Sequence, residues 1–286
     1  MNRLEEVAAS ESARDIEPPA TAEVQSDGVG RSGRLGTTLT AVGLLVGIIV
    51  VWDLSVRTGL VHSVVLPAPR DVLSALGELL RADFLAGHLW ATVSETIVGF
   101  AVASVAGFVV GSVLVFFSAV RRAVYPYIVV FQTLPKVALA PLIVAWLGFG
   151  VSSKIGLAAA IAFFPVLINT MVGLQSVPVD SVLLMRSLVA SRRRTFFSLA
   201  LPWALPSIFA GLKTSMTLAL IGAIVAEFVG ARKGLAVLID TFSFQFRMDS
   251  VYAVLIVLGA VGLLLYGVVE YADRRIVFWR DNPHDA

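Results

Sequence analysis

The stretch that decides the fold is Pro178-Val-Asp-Ser-Val-Leu-Leu-Met-Arg-Ser-Leu-Val-Ala-Ser-Arg-Arg-Arg-Thr-Phe-Phe-Ser-Leu-Ala-Leu-Pro202. It is polar and Arg-rich, and it separates two apolar stretches that are each of membrane-spanning length. A chain of this pattern crosses a bilayer repeatedly and leaves a loop with structure of its own on one side. Two short helices are expected, meeting near Ala190-Ser191. The second opens with Ser191 at the N-cap, where the hydroxyl can accept from an orphan backbone N–H, and Pro202 is expected to stop it. Three arginines are followed by Phe196, Phe197, Leu199 and Leu201. A loop that only fixes topology needs the arginines but not the apolar residues. The combination reads better as a surface gripped by another protein.

Composition agrees with a membrane chain. Of the 286 residues, 57% are hydrophobic and 15% charged, and the mean hydropathy is +0.87, outside the range of ordinary soluble domains. The net charge of +2 is small and the basic residues lie in loop clusters, so nothing resembles a nucleic-acid footprint. The absence of cysteine excludes disulfides, thiolate metal sites and thiol nucleophiles. His62, His88 and His284 are scattered without ligand spacing and read as loop residues rather than a metal site.

Residues 1–36 are polar, rich in Glu, Asp, Ser and Pro, and lack apolar periodicity, which predicts a disordered tail. Six spans are expected near 38–56, 90–116, 124–147, 154–172, 208–229 and 250–270, each close to the ~20 residues that cross a ~30 Å hydrocarbon layer. With the N-terminus inside, that side holds thirteen cations: Arg3, Arg14, Arg31, Arg34, Arg121, Arg122, Arg186, Arg192, Arg193, Arg194, Arg274, Arg275 and Arg280. The other side holds seven: Arg57, Arg70, Arg81, Lys154, Arg232, Lys233 and Arg247. The excess favours both ends inside. Between the first two spans, Leu66-Pro-Ala-Pro-Arg-Asp opens an amphipathic helix. Val72, Leu73, Leu76, Leu79 and Leu80 share one face of it, which suits an element lying flat at the outer interface. Gly43-x-x-x-Gly47 and Gly107-x-x-x-Gly111 would permit close helix approach.

Polar groups at membrane depth are few. In Phe131-Gln-Thr-Leu-Pro-Lys-Val-Ala-Leu-Ala-Pro141, the two prolines remove amide donors. Such backbone survives in a membrane where it faces protein or a wet cavity. Lys136 falls mid-span, where burial costs about 2.5–3.5 kcal/mol unless a partner or water compensates. Gln132, Thr133 and Lys136 are therefore expected to border a translocation path. Asn169, Thr170, Glu227 and Glu95 are secondary candidates whose commoner role is interhelical hydrogen bonding. There is no phosphate-binding Gly-x-x-x-x-Gly-Lys-Ser/Thr loop, no His-Glu-x-x-His and no Gly-x-Ser-x-Gly. An enzyme is a poor reading. Energy for uphill transport would come from a partner or an ion gradient.

Several segments together resemble the permease subunit of a bacterial ATP-binding-cassette importer, in the group serving nitrate, taurine, alkanesulfonates and some vitamin or pyrimidine precursors. They are Leu66-Pro-Ala-Pro, Tyr125-Pro, Gln132-Thr-Leu-Pro-Lys, Ala162-Phe-Phe-Pro-Val-Leu-Ile-Asn-Thr170 and Gly222-Ala-Ile-Val-Ala-Glu-Phe-Val-Gly230, together with the loop above. The family's cytoplasmic signature is Glu-Ala-Ala, three residues, Gly, nine residues, then Ile-x-Leu-Pro, and Leu199-Ala-Leu-Pro202 matches its second half. The resemblance implies an all-α, six-helix, type I importer permease fold. It divides the chain into a tail (1–36), a first helix with an external amphipathic segment (37–87), a transmembrane core (88–272) with a cytoplasmic coupling loop at 173–206, and a C-terminal tail (273–286). It further implies that Arg186, Ser187, Ala190, Ser191, Arg192, Phe196, Phe197, Leu201 and Pro202 lie at or near an ATPase contact. Gln132, Thr133, Lys136, Asn169 and Glu227 are the residues expected along the translocation path. The implied partners are cytoplasmic ATPase subunits, an extracytoplasmic solute-binding protein, a second permease copy and membrane lipid. ATP and Mg would sit on the ATPase and no cofactor on this chain. The implied location is the cytoplasmic (inner) membrane with both termini cytoplasmic.

Two departures stand out: Leu183-Leu-Met185 replaces Glu-Ala-Ala, and Val189 stands where the family places the elbow glycine. An ion-coupled secondary transporter is the main rival; it would need its own midplane ion site, for which Glu95 and Glu227 look too shallow. A non-transporting scaffold explains the apolar bulk but not the loop or Lys136.

Overall fold

A computed structural model describes residues 31–62 and 65–279, with the side chains of 31–38 and Ala41 outside the description. The chain divides into two compact units at Val51/Trp52. The first holds most of α1 (Arg31–Arg57). Its apolar side chains from Leu44 to Val51 are exposed, as a helix facing hydrocarbon requires. Gly43 and Gly47 face open space among the described residues. The expected tail lies outside the described residues except at its end, where α1 already runs at Arg31 rather than starting near 38.

The second unit contains α2 (Pro69–Arg81), α3 (Asp83–Phe116), α4 (Ser118–Thr133), a 3₁₀ turn (Lys136–Leu139), α5 (Ala140–Leu147) and α6 (Val151–Gln175). It continues with α7 (Val179–Ser187), α8 (Arg192–Thr195), a π-helical turn (Phe196–Ala200), α9 (Leu201–Gly230), α10 (Leu235–Phe244) and α11 (Met248–Ile276). Among the described residues, four helices are long and apolar enough to cross a membrane unbroken: Asp83–Phe116, Val151–Gln175, Arg192–Gly230 and Met248–Ile276. The expected first span falls within α1. The third is not one helix but a pair, Ser118–Thr133 and Lys136–Leu147, bent by 90°. Pro135 is the cause: it holds Leu134 in an extended conformation (φ −63°, ψ 137°) and offers no amide to continue the helix.

The core is a three-helix seam of α3, α6 and α9. Lipid provides no hydrophobic drive between helices, so contact depends on small residues that let backbones meet. Gly99 of α3 and Gly222 of α9 both abut Ala158 of α6, where an added Cβ would lie 2.6 and 2.7 Å from Ala158 atoms. Farther along, Gly107 and Gly111 meet α6 at Val166–Thr170 as the sequence spacing implied. A second layer packs Ala75 and Leu79 of α2 with Leu235 and Leu238 of α10 and Val254 and Val257 of α11. The amphipathic face of α2 is therefore buried against protein instead of resting on lipid. Leu73 and Leu80 fall off that face and are exposed.

Two ion pairs join these helices. Lys154 Nζ lies 2.6 Å from Glu95 Oε1, with both side chains buried, so Lys154 belongs to the α3–α6 seam rather than to an external loop. Lys213 of α9 sits between Glu270 and Asp273 of α11, 2.6 Å from Asp273 Oδ2. Removing one member of a buried pair strands a charge and costs about 3–5 kcal/mol, whereas replacing both by apolar residues is often neutral. Lys154→Met is expected to lower thermal stability in detergent by that amount, and Glu95→Leu combined with Lys154→Met to restore most of it. Equal losses for the single and double variants would contradict the pairing.

Candidate functional site

The elbow is built from two helix ends locked back to back. Helix α7 closes in a paired motif, with the Ala190 N–H donating to Met185 O (3.0 Å) and the Val189 N–H to Arg186 O (2.9 Å). These are the two bonds of a Schellman C-cap, which places its C′ residue in the left-handed region. That residue is Val189, at φ 55°, and its side chain is 90% exposed. The bend therefore keeps the conformation glycine would allow, at a cost of roughly 1–2 kcal/mol for a residue with a Cβ. Ser191 then caps α8, its Oγ accepting from the Arg194 N–H at 3.3 Å.

Pro202 does not end this helix. The backbone widens into the π-helical turn Phe196–Ala200, where the Leu201 N–H reaches back five residues to Phe196 O. Pro202 then takes a first-turn position of α9. The widened π-helical turn just before it accommodates a residue that has no amide to donate. Arg192–Gly230 is thus one helical element of 39 residues.

The elbow borders a cleft of about 700 Å³ lined by Val115, Leu174, Val182, Arg186, Ala190 and Thr195, among others. Phe196 turns inward, its ring 5.3 Å from that of Phe116, and it packs on Leu174 and Ile208. Phe197 points out, with the Arg193 guanidinium 6.0 Å from its centroid. Arg186, Ser187, Ser191 and Arg192 are exposed, while Ala190, Leu201 and Pro202 are half-buried. Exposed charge and apolar surface thus alternate over a few residues, a pattern suited to docking.

The residues expected along a path separate into three places. Gln132 and Thr133 close α4, and Lys136 opens the 3₁₀ turn at the break instead of sitting inside a helix. The Lys136 ammonium lies 5.4 Å from the Phe164 ring centroid, a favourable cation–π placement. Thr133 Oγ1 donates to Val130 O (2.8 Å). Asn169 binds the seam: its Nδ2 donates to Pro165 O (2.9 Å) and its carbonyl accepts from Ser207 Oγ of α9 (2.9 Å). Glu227 lies in a third location, 2% exposed. Its Oε1 accepts from Thr92 Oγ1 at 2.6 Å and its Oε2 from the Ala236 N–H at 2.9 Å. Both carboxylate oxygens are engaged at the joint between α9, α3 and α10.

Sequence reasoning missed α10, Thr92 and His88 as members of that joint. His88 belongs to α3, not to a loop, and its Nδ1 lies 2.8 Å from Gly234 O and 3.1 Å from Gly234 N. The one local signal was Gly234 ahead of Leu-Ala-Val-Leu-Ile, a short apolar run after a glycine.

With the bundle, the elbow and the broken third span in view, comparison with known proteins assigns the class. Residues 103–278 match the family of binding-protein-dependent transport system inner membrane components, and the chain belongs to it. It is 32% identical over 233 residues to the formylaminopyrimidine transport permease ThiX of Halalkalibacterium halodurans, covering 82% of this chain and 92% of the relative. It is 33% identical over 245 residues to the riboflavin transport system permease RibX of Chloroflexus aurantiacus (86% and 90%). The putative aliphatic sulfonates transport permease SsuC of Bacillus subtilis is 31% identical over 236 residues (82% and 85%). Among solved structures, the inward-facing MetNI methionine transporter shares the fold, with a TM-score of 0.60 at 19% identity over 67% of this chain and 95% of that one. The chain is thus a multi-pass inner-membrane permease subunit of an ABC importer.

Replacing Val189 by Gly removes the left-handed penalty without touching either cap bond. Resistance of the elbow to limited proteolysis is expected to rise, by the equivalent of about 1 kcal/mol, with solute uptake unchanged or higher. A fall in uptake would show that the valine side chain itself is needed.

Proposed function

We propose that this chain forms half of the transmembrane gate of an ATP-driven importer, with both termini and the elbow in the cytoplasm. A second copy completes the central path, an extracytoplasmic binding protein delivers the solute, and two ATPase subunits drive the cycle from below. The observation that carries the docking role is the continuity of Arg192–Gly230. The exposed arginines of the elbow and the far end of a membrane-crossing helix are one element, so a displacement at the ATPase contact must move the bundle. Rigid-body rocking of such units is the usual way to alternate access. In this reading the chain performs no chemistry; it converts a displacement into a switch of access.

For the solute, the names of the relatives point to two classes, sulfonate-type anions and heterocyclic vitamin precursors. Of the lysines within the spans, Lys154 is paired with Glu95 and Lys213 with two carboxylates, so Lys213 offers no net attraction to an anion. Among the described residues of the spans, that leaves Lys136 beside the Phe164 ring. Anion pathways are commonly lined by uncompensated cations. One ammonium next to an aromatic face is better matched to a heterocycle of low net charge. Gln132, Thr133 and Lys136 are the residues we place on the path.

Co-expression with the partner ATPase and binding protein tests both parts. Arg192→Glu and Ser191→Pro are expected each to abolish ATPase co-purification and uptake. If both variants retain them, the docking role is wrong. Uptake of a radiolabelled aminopyrimidine or flavin precursor is expected to exceed that of taurine or an alkanesulfonate at least tenfold, and the opposite order would overturn the solute assignment.

A further inference from the structure

Helix α10 is ten residues long, below the ~12–15 residues at which a helix holds itself in water, and its own N-cap residue, Gly234, has no side chain to cap it. Its first amides are satisfied from elsewhere. The Leu235 N–H donates to Thr92 Oγ1 of α3 (2.8 Å), and the Ala236 N–H donates to Glu227 Oε2 of α9 (2.9 Å). The Thr92 hydroxyl in turn donates to Glu227 Oε1 (2.6 Å). A carboxylate at a helix N-terminus is favoured by the helix dipole as well as by the bond. Any side chain at 234 would be strained at its φ of 143°, and its Cβ would collide with the Glu227 carboxylate and displace it. Thr92, Leu235 and Ala236 have no exposed surface. One carboxylate, held from two sides, caps the end of a helix too short to hold itself.

The other end of α10 is open. Phe244 and Phe246 are 81% and 75% exposed, and Phe246 is held at φ 57°. The element is therefore a short lever, clamped at its N-terminus and presenting aromatic surface at its C-terminus. The clamp stands three residues from the end of Arg192–Gly230, whose other end is the elbow. At ~1.5 Å per residue those 39 residues reach about 58 Å. Apolar packing also holds α10 against α2 and α11, but such contacts can slide, whereas the carboxylate bonds are directional.

We propose that Glu227 is a positioning residue through which α10 and the elbow move as one body, so that a displacement of α10 reaches the ATPase contact along α9. This rests on the importer reading above. The native chain has no cysteine, so Thr241→Cys, on the exposed side of α10, provides a single label site in an intact clamp. The test uses the full importer, permease with ATPase and binding protein, in lipid nanodiscs. With Glu227 in place, the maleimide labelling rate at position 241 is expected to change at least threefold when ATP and vanadate trap the ATPases. No change there overturns the proposal, whatever the clamp variants do. Glu227→Gln and Thr92→Val are expected to keep co-purification and basal ATP hydrolysis within twofold, to lose that labelling response, and to cut stimulation of hydrolysis by loaded binding protein at least fivefold. Wild-type stimulation and labelling in both variants overturn it, and so does a variant that fails to assemble while the other behaves as wild type. If the wild-type chain itself recruits no ATPase, the importer reading fails rather than this inference.

Discussion

Hydrocarbon offers no water to satisfy a stranded amide or charge and no hydrophobic force to press apolar helices together. This chain is organised around both deficits at one place, the contact of α3, α6 and α9 about Ala158. Gly99 and Gly222 let two helices reach that residue from opposite sides. One turn away on the same faces, four residues before Ala158 and four before Gly99, stand Lys154 and Glu95. The ion pair and the small-residue seam are thus consecutive layers of one interface. Close approach brings the charges within 2.6 Å, and the pair fixes the register in which the glycines meet. Another turn along α3, Thr92 extends the same polar layer to Glu227 and α10.

The long features of this fold were legible in the sequence because they depend on local pattern. Membrane-length apolar runs and the Ser191 cap are each written in a few adjacent residues. The polar joint was not legible, because its partners are far apart in the chain: 59 residues separate Glu95 from Lys154, and 135 separate Thr92 from Glu227. Reading Lys154 as a loop cation followed from its place at a span boundary, where charge is ordinarily solvated. Helix α10 was missed because the start signal sought in a sequence is a capping side chain at the N-cap, and here the caps come from two other helices. Pro202 misled for a related reason. A proline predicts a stop only if the preceding turn is α-helical, and the π-helical turn changes that premise.

Lys136 shows how a break can make a charge in the middle of a span tolerable. Inside a continuous helix its ammonium would project into whatever faced the third span. At the end of a 90° bend the backbone around it is already non-helical, a condition that survives in lipid only against protein or water. Pro135 and Lys136 therefore belong to a single device. The proline opens the backbone, and the cation sits at that opening beside Phe164. The same logic separates Lys136 from Lys213, which lies within an unbroken helix and is accompanied by carboxylates.

The left-handed valine at the elbow fits this account as a consequence of being fixed from both sides. On its N-terminal side the cap bonds to Met185 and Arg186 consume the last carbonyls of α7. On its C-terminal side Ser191 commits the chain to α8 only two residues later. Between two such commitments the backbone has little freedom, and a strained residue persists where its surroundings over-determine it. An elbow bent this way holds its angle by hydrogen bonding rather than by the identity of residue 189. The geometry that glycine provides by permission is imposed here by the flanking caps, and the exposed valine adds apolar surface at the apex. The loss of the family's acidic residue at Leu183 pushes in the same direction, leaving an elbow whose outer surface is leucine and valine edged by arginine. An ATPase that fits this elbow would meet it with apolar surface and acidic flanks.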